Sequence, residues 1–404
     1  MILKETLRDV VRAQQAELSS FDCGTEREDA AKLDLDMPFA LVISGVRRCG
    51  KSTLLRQLMK KTKGFYYFNF EDPRAADFGA GDFQKLDEVF VEEFGKRDHY
   101  FFDEIQNAER WELFVRALLD RKRRVAITGS NASLLSKELG TRLTGRHLRH
   151  ELFPFSFREF LAFTSKKPNQ EAFGEYFAKG GFPDYLRYGR SEILRELLND
   201  VISRDIVARH SLRSSKTMRE MALYLLSNTG KEFSYNGLKK TFGLGSVNTA
   251  IAFVSYLEDS YLLFTVKRFD YSLKKQFVAP KKAYSVDNGF SAANSASFSA
   301  DRGRALENQV FLHLRKKHGE GVFYFRDKNE CDFLIRESGR IAEAVQVCYE
   351  LDDDNKEREL AGLEEALSRF KLSSGMLLTY GQEDELSVGG KTVFVKPVWK
   401  WLLE

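Results

Sequence analysis

Short apolar runs alternate with amphipathic stretches in the N-terminal part of the chain, and together they predict a sheet covered by helices. The first run, FALVIS at residues 39–44, leads into a glycine-rich turn and then into the helical pattern TLLRQLMKK. Brief apolar runs between helical stretches are typical of buried parallel strands. Further runs lie in FYYFNFED (65–72), HYFFDEIQ (99–106) and RVAITGSNASLL (124–135). The pattern predicts an α/β domain with a mainly parallel sheet over residues 1–155.

The middle of the chain has mostly helical spacing. Residues 156–210 place apolar side chains three and four positions apart, which predicts a helical lid or connector. Residues 211–284 predict short helices with a glycine-containing turn before the third one, followed by a pair of strands. This order is the layout of a winged helix-turn-helix. Ser246 is the predicted N-cap of the third helix, and Asn248 lies in its first turn.

The pattern changes again at about residue 285. The stretch RGRALENQVFLHLRKK predicts an amphipathic helix, and a strand hairpin, a second helix and another strand follow it. Residues 285–404 are therefore predicted to form a further α/β domain.

Composition indicates a globular protein and excludes a transmembrane one. Of the 404 residues, 43% are hydrophobic and 30% are charged. No apolar run approaches the roughly 18 residues that a bilayer-spanning helix needs. The N-terminal stretch predicts an amphipathic helix with acidic residues, unlike a signal peptide, so we expect a cytoplasmic protein. The net charge of +4 does not by itself indicate a nucleic-acid binder.

The cysteines give no sign of a disulfide framework or a zinc site. Cys23, Cys49, Cys331 and Cys348 are scattered, without a CxxC pair or a nearby histidine cluster. We expect four free thiols. Cys49 lies inside the glycine-rich turn, where its oxidation could block a phosphate, although a small residue that fits the loop is the simpler interpretation.

The glycine-rich turn fits the phosphate-binding pattern G-x-x-x-x-G-K-[ST]. Glycines let backbone N–H groups point at phosphate oxygens at a helix N-terminus, where the helix dipole favours an anion. Lys51 would reach the β- and γ-phosphates, and Ser52 would ligate magnesium. The sequence therefore predicts ATP and Mg²⁺ as cofactors, held by Gly45, Val46, Arg47, Arg48, Cys49, Gly50, Lys51, Ser52 and Thr53.

Two downstream strands predict the rest of the catalytic site. HYFFDEIQ ends in Asp103, which would act on the magnesium shell, and Glu104, which would orient or deprotonate the attacking water. RVAITGSNASLL breaks at a glycine, and Ser130 or Asn131 would lie beside the γ-phosphate if this strand neighbours the first one. A plain helix cap is the alternative interpretation of Ser130 and Asn131.

The stretches LFPFSFREF (152–160), GGFPDYL (180–186) and SRDIV (203–207) resemble a family of predicted bacterial and archaeal AAA+-type ATPases. The resemblance covers essentially the whole chain. It implies that Arg142 or Arg146 is an arginine finger that reaches the γ-phosphate of a neighbouring subunit. A homo-oligomer, with a hexamer as one arrangement, follows from that role. A basic surface turn is the alternative interpretation of both arginines.

The order of elements after residue 285 resembles the restriction-endonuclease-like fold. By that resemblance, Glu307, Asp332 and Gln346 would occupy the positions of a magnesium site that cleaves phosphodiester bonds. A lysine would be expected two residues after Gln346, and Cys348 stands there instead. The missing cation predicts a degenerate site used for binding or subunit contact. A live nuclease with a relocated lysine, for which Lys328 is the nearest candidate, is the alternative.

Basic and aromatic residues interleave in VKRFDYSLKKQFVAPKK at residues 266–282. On the wing of a winged helix they would lie along a phosphate backbone. With Ser246 and Asn248, the candidate DNA-binding residues are Lys267, Arg268, Lys274 and Lys275. The same basic stretch, expected on the wing, also contains Lys281 and Lys282. Packing or dimerisation is the alternative use of such a module.

These features together predict a magnesium-dependent ATPase that binds duplex or branched DNA and remodels or processes it as an oligomer. Two alternatives remain open. The first is a nucleotide-gated switch that binds a protein partner, and the second is an ATP-regulated nuclease.

Overall fold

The computed structural model describes the chain in two compact units. They comprise Met1–Phe153 and Pro154–Glu404. The described residues are 2–20, 22–130, 143, 145–212, 214–295 and 301–404.

The first unit is a parallel sheet with helices packed against it. Its strands are β1 (Ala40–Ser44), β2 (Phe65–Asn69), β3 (His99–Asp103), β4 (Arg124–Gly129) and β5 (His147–Glu151). Its helices are α1 (Lys4–Ser20), α2 (Lys51–Lys60), α3 (Asp82–Phe94) and α4 (Trp111–Asp120). The strand order is β2-β3-β4-β1-β5, and every neighbouring pair is parallel. The predicted α/β architecture with a parallel sheet is confirmed.

The apolar runs become central strands because helices cover the sheet. All five residues of β1 are buried, and its first four positions are apolar instead of alternating with polar residues. Phe68, Phe102 and Trp111 are each at most 1% exposed and belong to one aromatic-rich core. Burying a large apolar side chain contributes about 1.5–3 kcal/mol. This core fixes the sheet on which the candidate site is built.

The strand order brings the ends of β1, β3 and β4 together. Strand β4 pairs with β1 on one side and with β3 on the other. Ligands of parallel sheets bind beyond the carboxyl ends of the strands. The residues that follow Ser44, Phe102 and Thr128 therefore meet at one edge of the sheet.

The second unit begins with helices. They are α5 (Phe157–Thr164), α6 (Gln170–Lys179), α7 (Pro183–Tyr188) and α8 (Glu192–Asp200), and a π-helix at Val201–Ala208 continues the last of them. This stretch is helical, as the spacing predicts. Its role as a lid or connector stays a prediction. Helix α5 begins with a capping box in which Ser156 and Glu159 exchange hydrogen bonds between side chain and backbone.

The next stretch combines helices with a small antiparallel sheet. Its elements are α9 (Ser215–Ser227), β6 (Glu232–Phe233), α10 (Tyr235–Thr241), α11 (Val247–Asp259), β7 (Leu263–Arg268), α12 (Leu273–Val278) and β8 (Lys281–Ser285). Strand β8 pairs antiparallel with both β6 and β7. The residues between β7 and β8 include the short helix α12, which the predicted hairpin did not contain.

The C-terminal stretch adds more strands and helices. They are α13 (Asn288–Asn294), α14 (Arg302–His318), β9 (Val322–Arg326), β10 (Glu330–Glu337), β11 (Arg340–Val347), α15 (Lys356–Arg369), β12 (Ser374–Thr379), β13 (Asp384–Val388), β14 (Lys391–Pro397) and α16 (Val398–Trp401). Strands β6 to β14 form one sheet with the order β13-β14-β12-β11-β10-β9-β7-β8-β6. The parallel pairing of β7 with β9 joins the two stretches. The division into four domains stays a prediction.

A buried acid ties several loops of the second unit together. The carboxylate of Asp287 accepts hydrogen bonds from the backbone N–H groups of Gly181, at 2.6 Å, and Phe290, at 2.8 Å. Burial raises the pKa of Asp287 to about 6, although these N–H groups oppose the shift. At Gly181, a Cβ atom would lie 2.2 Å from the carbonyl oxygen of Phe155, so this position requires glycine.

No helix in the described residues is long and apolar enough to cross a membrane. The four cysteines are free, as predicted, and all four are buried.

Candidate functional site

The turn between β1 and α2 has the backbone geometry that a phosphate-binding loop needs. Gly50 lies at φ 101° and Arg48 at φ 62°, both in the left-handed region. A Cβ atom at Gly45 would lie 2.2 Å from the carbonyl oxygen of Leu152. The loop therefore packs too closely against the residue after β5 for any side chain at Gly45.

Two side chains of the loop point towards the carboxyl end of β3. Lys51 is 3% exposed, and its Nζ donates to the carbonyl oxygens of Gly45 and Val46 at 3.2 Å each. The same Nζ lies 3.7 Å from a carboxylate oxygen of Glu104. Ser52 Oγ donates to Asp103 Oδ1 at 3.1 Å. The loop and the tip of β3 thus meet as the sequence motifs require.

Strand β4 completes this cluster with a residue that the motifs did not indicate. Thr128 Oγ1 donates to Asp103 Oδ1 at 2.5 Å and accepts from the backbone N–H of Glu104 at 2.9 Å. Glu104 itself has a positive φ of 49°, so the extended backbone of β3 ends before it. Its Oε2 accepts from Gln106 Nε2 at 2.5 Å. Thr128 therefore fixes both acids at the end of β3.

The electrostatics of the cluster favour a cation. Burial, reinforced by the charge of Glu104, raises the pKa of Asp103, while hydrogen bonds from Thr128 and Ser52 oppose the shift. Tyr67 Oη donates to the second oxygen of Asp103 at 3.4 Å. A hydroxyl and a carboxylate in contact are the oxygen ligands that Mg²⁺ prefers. Ser52 and Asp103 therefore fit the magnesium that the fold implies, and the close-packed glycine loop fits a phosphate.

A buried arginine, which the sequence motifs did not reveal, is hydrogen-bonded to the backbone of the phosphate-binding loop. Arg27 is 2% exposed, and it donates to the carbonyl oxygens of Cys49 and Phe153 at 2.7 Å each. Its backbone N–H donates to Gln57 Oε1 of α2 at 3.0 Å. Burial raises the pKa of the Cys49 thiol, which makes this thiol poorly reactive. Cys49 is therefore better explained as a small residue that fits the loop than as a site of redox control.

The remaining catalytic candidates lie at the ends of β4 and before β5. Ser130 is buried, at 1% exposure, directly after β4, which does neighbour β1. Asn131 and Arg142 lie outside the described residues. Arg146 pairs with Asp120 and both side chains are about half exposed, so Arg146 stands on the surface of its own unit.

The candidate DNA-binding residues lie in the second unit. Ser246 caps α11, as predicted, by accepting from the N–H of Thr249 at 3.1 Å, and Asn248 is exposed in the first turn. Lys274 and Lys275 are exposed on α12, whereas Lys267 and Arg268 are half-buried at the end of β7.

The predicted exposure of Lys281 and Lys282 is wrong. The two lysines are 7% and 2% exposed because β8 is covered on both faces. Lys281 Nζ donates to the hydroxyl of Tyr235 at 3.1 Å. Neither lysine can lie along a phosphate backbone.

The residues aligned with a nuclease site do converge. Asp332 and Glu307 both contact the buried Nζ of Lys282, and the N–H of Asp332 donates to Gln346 Oε1 at 3.2 Å. Gln346 Nε2 in turn donates to Glu359 at 2.9 Å. Cys348 Sγ lies 2.9 Å from the carbonyl oxygen of Glu350. Lys328, the candidate relocated lysine, is exposed in the turn between β9 and β10.

Comparisons with known proteins bear on both units. A family model described as an AAA domain matches residues 38–161, and one described as a domain of unknown function matches residues 170–300. Residues 38–161 are therefore an AAA-type P-loop domain, and this part of the prediction is confirmed.

Two relatives match most of the chain. "Uncharacterized protein MJ1544" of Methanocaldococcus jannaschii is 36% identical over 395 residues, covering 90% of this chain and 88% of that protein. An "Uncharacterized protein" of Haemophilus influenzae is 29% identical over 344 residues, covering 80% of this chain and 86% of that protein.

Among solved structures, AMPPCP-bound DnaA from Aquifex aeolicus is 12% identical with a TM-score of 0.28, covering 62% of this chain and 88% of that chain. A TM-score this low supports no conclusion about this chain.

Proposed function

We propose that this chain, which belongs to the same family as the Methanocaldococcus jannaschii protein MJ1544, hydrolyses ATP in a magnesium-dependent reaction. The observation that carries the proposal is the contact of Ser52 Oγ with Asp103 Oδ1 at 3.1 Å, beside Lys51 and Glu104. A loop lysine, a loop hydroxyl and two strand-end acids in contact are the parts that phosphoryl transfer to water requires.

Each of these side chains has a separate role. Lys51 leaves the carbonyl oxygens of its own loop and binds the β- and γ-phosphates. Ser52 and Asp103 hold the magnesium ion, which when bound neutralises charge on the phosphates. Glu104 orients the attacking water and accepts its proton. Glu104 pairs with Lys51, and it becomes free to act on the water when Lys51 binds the phosphate oxygens instead.

The test of this assignment compares two variants at the site. We expect Glu104→Gln to bind ATP as the parent protein does but to hydrolyse it at least about 100-fold more slowly, because the water loses its base. Lys51→Ala should lose binding as well and serves as the blank. Steady-state phosphate release and equilibrium nucleotide binding measure the two effects. Hydrolysis by Glu104→Gln at the parental rate would remove Glu104 from the mechanism.

We also propose that the ATPase works as an oligomer. Arg142 or Arg146 would act as the finger supplied to a neighbour's γ-phosphate, and Ser130 or Asn131 would sense the phosphate within the same subunit. The exposure of Arg146, at 48% of its side chain, supports a role outside its own unit. A mixture of Glu104→Gln with Arg146→Ala subunits should regain hydrolysis if Arg146 acts across an interface, because one mixed interface contains both groups.

DNA is the proposed object of this ATPase. The order α9-β6-α10-α11-β7-β8, with β8 pairing both β6 and β7, supports a winged helix-turn-helix. Ser246 and Asn248 stand at the exposed start of its third helix, where the first residues of a recognition helix face base edges. Lys267 and Arg268 lie at the end of β7, the strand that follows this helix.

The exposed segment between β7 and β8 supports a nucleic-acid contact. Tyr271 and Phe277 are 73% and 62% exposed, and they flank Lys274 and Lys275. Lys267 Nζ lies 5.2 Å from the centre of the Phe277 ring. Exposed rings beside lysines let bases stack while the ammonium groups bind phosphates. The neighbouring exposed Leu273 and Val278 support the alternative, a surface for a protein partner.

Hydrolysis measured with different DNAs separates these possibilities. We expect single-stranded, duplex or four-way-junction DNA to stimulate the Lys51-dependent rate, and Lys274→Gln with Lys275→Gln to reduce both the stimulation and the salt dependence of binding. Lys166→Gln with Lys167→Gln, a pair of exposed lysines after α5, is the matched control. A rate that ignores every DNA would favour the protein-binding switch.

We propose that the C-terminal stretch is a restriction-endonuclease-like domain without cleavage activity. The order α14-β9-β10-β11-α15-β12 supports the fold, and Cys348 in place of lysine supports the loss of activity. Such a domain would grip a nucleic-acid backbone or a neighbouring subunit. An ATP-regulated nuclease is the alternative, and magnesium-dependent cleavage of DNA by the parent protein would establish it.

A further inference from the structure

A buried lysine lies at the centre of the carboxylate cluster in the C-terminal sheet. Lys282 Nζ lies 2.9 Å from Glu307 Oε1, 2.7 Å from Glu330 Oε1 and 3.1 Å from Asp332 Oδ1. The lysine comes from β8, the glutamates from α14 and β10, and the aspartate also from β10. An ammonium group has three N–H donors, so each carboxylate can receive one of them.

The spacing of these oxygens suits an ammonium group. Hydrogen bonds from an ammonium to a carboxylate are about 2.7–2.9 Å long, whereas Mg²⁺ binds oxygen at about 2.0–2.1 Å and Ca²⁺ at about 2.3–2.6 Å. The observed distances of 2.7 to 3.1 Å lie in or just above the first range and are longer than both metal–oxygen ranges. The three carboxylates therefore surround the nitrogen at hydrogen-bonding distances.

The second oxygens and the neighbours of these acids hold the arrangement in place. Tyr284 Oη donates to Glu307 Oε1 at 2.6 Å, and the N–H of Val347 donates to Asp332 Oδ2 at 3.1 Å. Arg326 lies 3.6 Å from Glu330 Oε2. Lys282 is 2% exposed, and a buried ammonium is tolerated only when carboxylates pair with it. Although burial alone would lower the pKa of Lys282, the acids raise it well above its ordinary value.

We propose that the ammonium group of Lys282 is the permanent cation of this carboxylate cluster, so that the cluster takes up no divalent metal and supports no metal-dependent phosphodiester cleavage. A lysine does therefore lie beside the acids, although the sequence pattern lacks one after Gln346. It is Lys282 on β8, and it serves as the counter-ion of the acids. This inference does not depend on the proposed ATPase activity.

Metal binding by the nucleotide-free full chain tests the proposal. The test variant is Lys282→Ala, which leaves the acids without their cation, and the control is Lys281→Ala, a buried neighbour on the same strand that contacts Tyr235 instead. All proteins carry Asp103→Asn, so that the nucleotide site does not contribute. Mn²⁺ binding is followed by electron paramagnetic resonance of the free ion.

We expect Lys282→Ala to gain a Mn²⁺ site that the parent and Lys281→Ala lack. Adding Glu307→Gln to Lys282→Ala should weaken that site by at least about 10- to 100-fold, because Glu307 would be a direct ligand and even the loss of an outer-shell partner has an effect of that size. The melting temperature of Lys282→Ala should rise by about 4 °C or more with saturating Mn²⁺, because the metal replaces the lost cation. A folded Lys282→Ala that gains no Mn²⁺ site would overturn the proposal.

A second measurement keeps the proposal testable if Lys282→Ala does not fold. The parent protein and Glu307→Gln are compared for Mn²⁺ binding and for cleavage of duplex, single-stranded and branched DNA with Mg²⁺ or Mn²⁺. We expect the two proteins to behave alike in both assays. Metal binding or cleavage that the parent shows and Glu307→Gln loses would overturn the proposal and establish a metal site.

Discussion

The hydrogen bonds of Arg27 to the backbone at the phosphate-binding loop should affect both the free energy of unfolding and the affinity for nucleotide. Arg27→Met keeps the apolar part of the side chain but removes the hydrogen bonds to the carbonyl oxygens of Cys49 and Phe153, which are 2.7 Å long each. A hydrogen bond to a charged group contributes about 1.5–3 kcal/mol, so the variant should lose about 3–6 kcal/mol. This is a large part of the stability of an ordinary domain.

Trp111 provides the signal for this experiment. It is 1% exposed in the core of the first unit, and replacing Trp399 and Trp401 by phenylalanine leaves it as the single tryptophan of the chain. Urea unfolding followed by its fluorescence gives the free energy of unfolding of that unit. Arg12→Met is the control, because Arg12 pairs with Glu93 on the surface and its loss should leave the transition unchanged.

Nucleotide binding supplies the second readout. Cys49 immediately precedes Gly50 and Lys51, so a released carbonyl should loosen the loop and weaken ATP binding even where the unit remains folded. The reasoning would be refuted if Arg27→Met unfolded at the parental urea concentration and bound ATP with the parental affinity. That result would mean that the loop holds its shape without the guanidinium.

Two further predictions concern close packing and protonation. Gly45→Ala should abolish ATP binding because its Cβ would lie 2.2 Å from the carbonyl oxygen of Leu152. The control variant Gly81→Ala, whose Cβ would meet no atom within 4 Å, should bind ATP normally. Equal ATP affinities of the two variants would contradict this prediction. Because burial raises the pKa of Asp287 from 3.8 to about 6, its native carboxyl keeps a proton that the unfolded chain loses. Its contribution to stability is therefore complete below the unfolded pKa and falls by about 3 kcal/mol as the pH rises from about 4 to about 7. The unfolding free energy of Asp287→Asn should not fall with pH in this way. If the unfolding free energies of the parent and of Asp287→Asn changed in parallel between about pH 4 and pH 7, the prediction would be contradicted.

Local pattern was sufficient to predict that the glycine-rich loop and the two acids at the end of β3 come together. These parts lie on continuous segments: the loop from Gly45 to Ser52 follows one apolar run, and Asp103 and Glu104 end another. Each segment carries its own strand, turn or helix signal, and the parallel order of an α/β sheet then brings the segments together. The prediction needed no knowledge of distant contacts.

The residues that the sequence did not reveal act across long separations. Arg27 contacts a carbonyl 126 positions away, and Lys282 pairs with an aspartate 50 positions away. A single basic residue in a loop, or one in a run of basic residues, has no period or spacing that marks it as buried. Lys282 was assigned to an exposed wing for that reason, since the charge of a residue favours the surface until its partners are known.

The pairing of β7 with β9 has a consequence for any attempt to study the C-terminal part of the chain in isolation. A chain begun at residue 285 would strip β9 of its partner at Lys267 and Arg268 and leave an open strand edge, which invites aggregation. It would also discard Lys282 and Tyr284, so that Glu307 and Asp332 would face each other without a counter-charge. A fragment that includes β6 to β8 avoids both defects, and its shortest sensible start lies before Glu232.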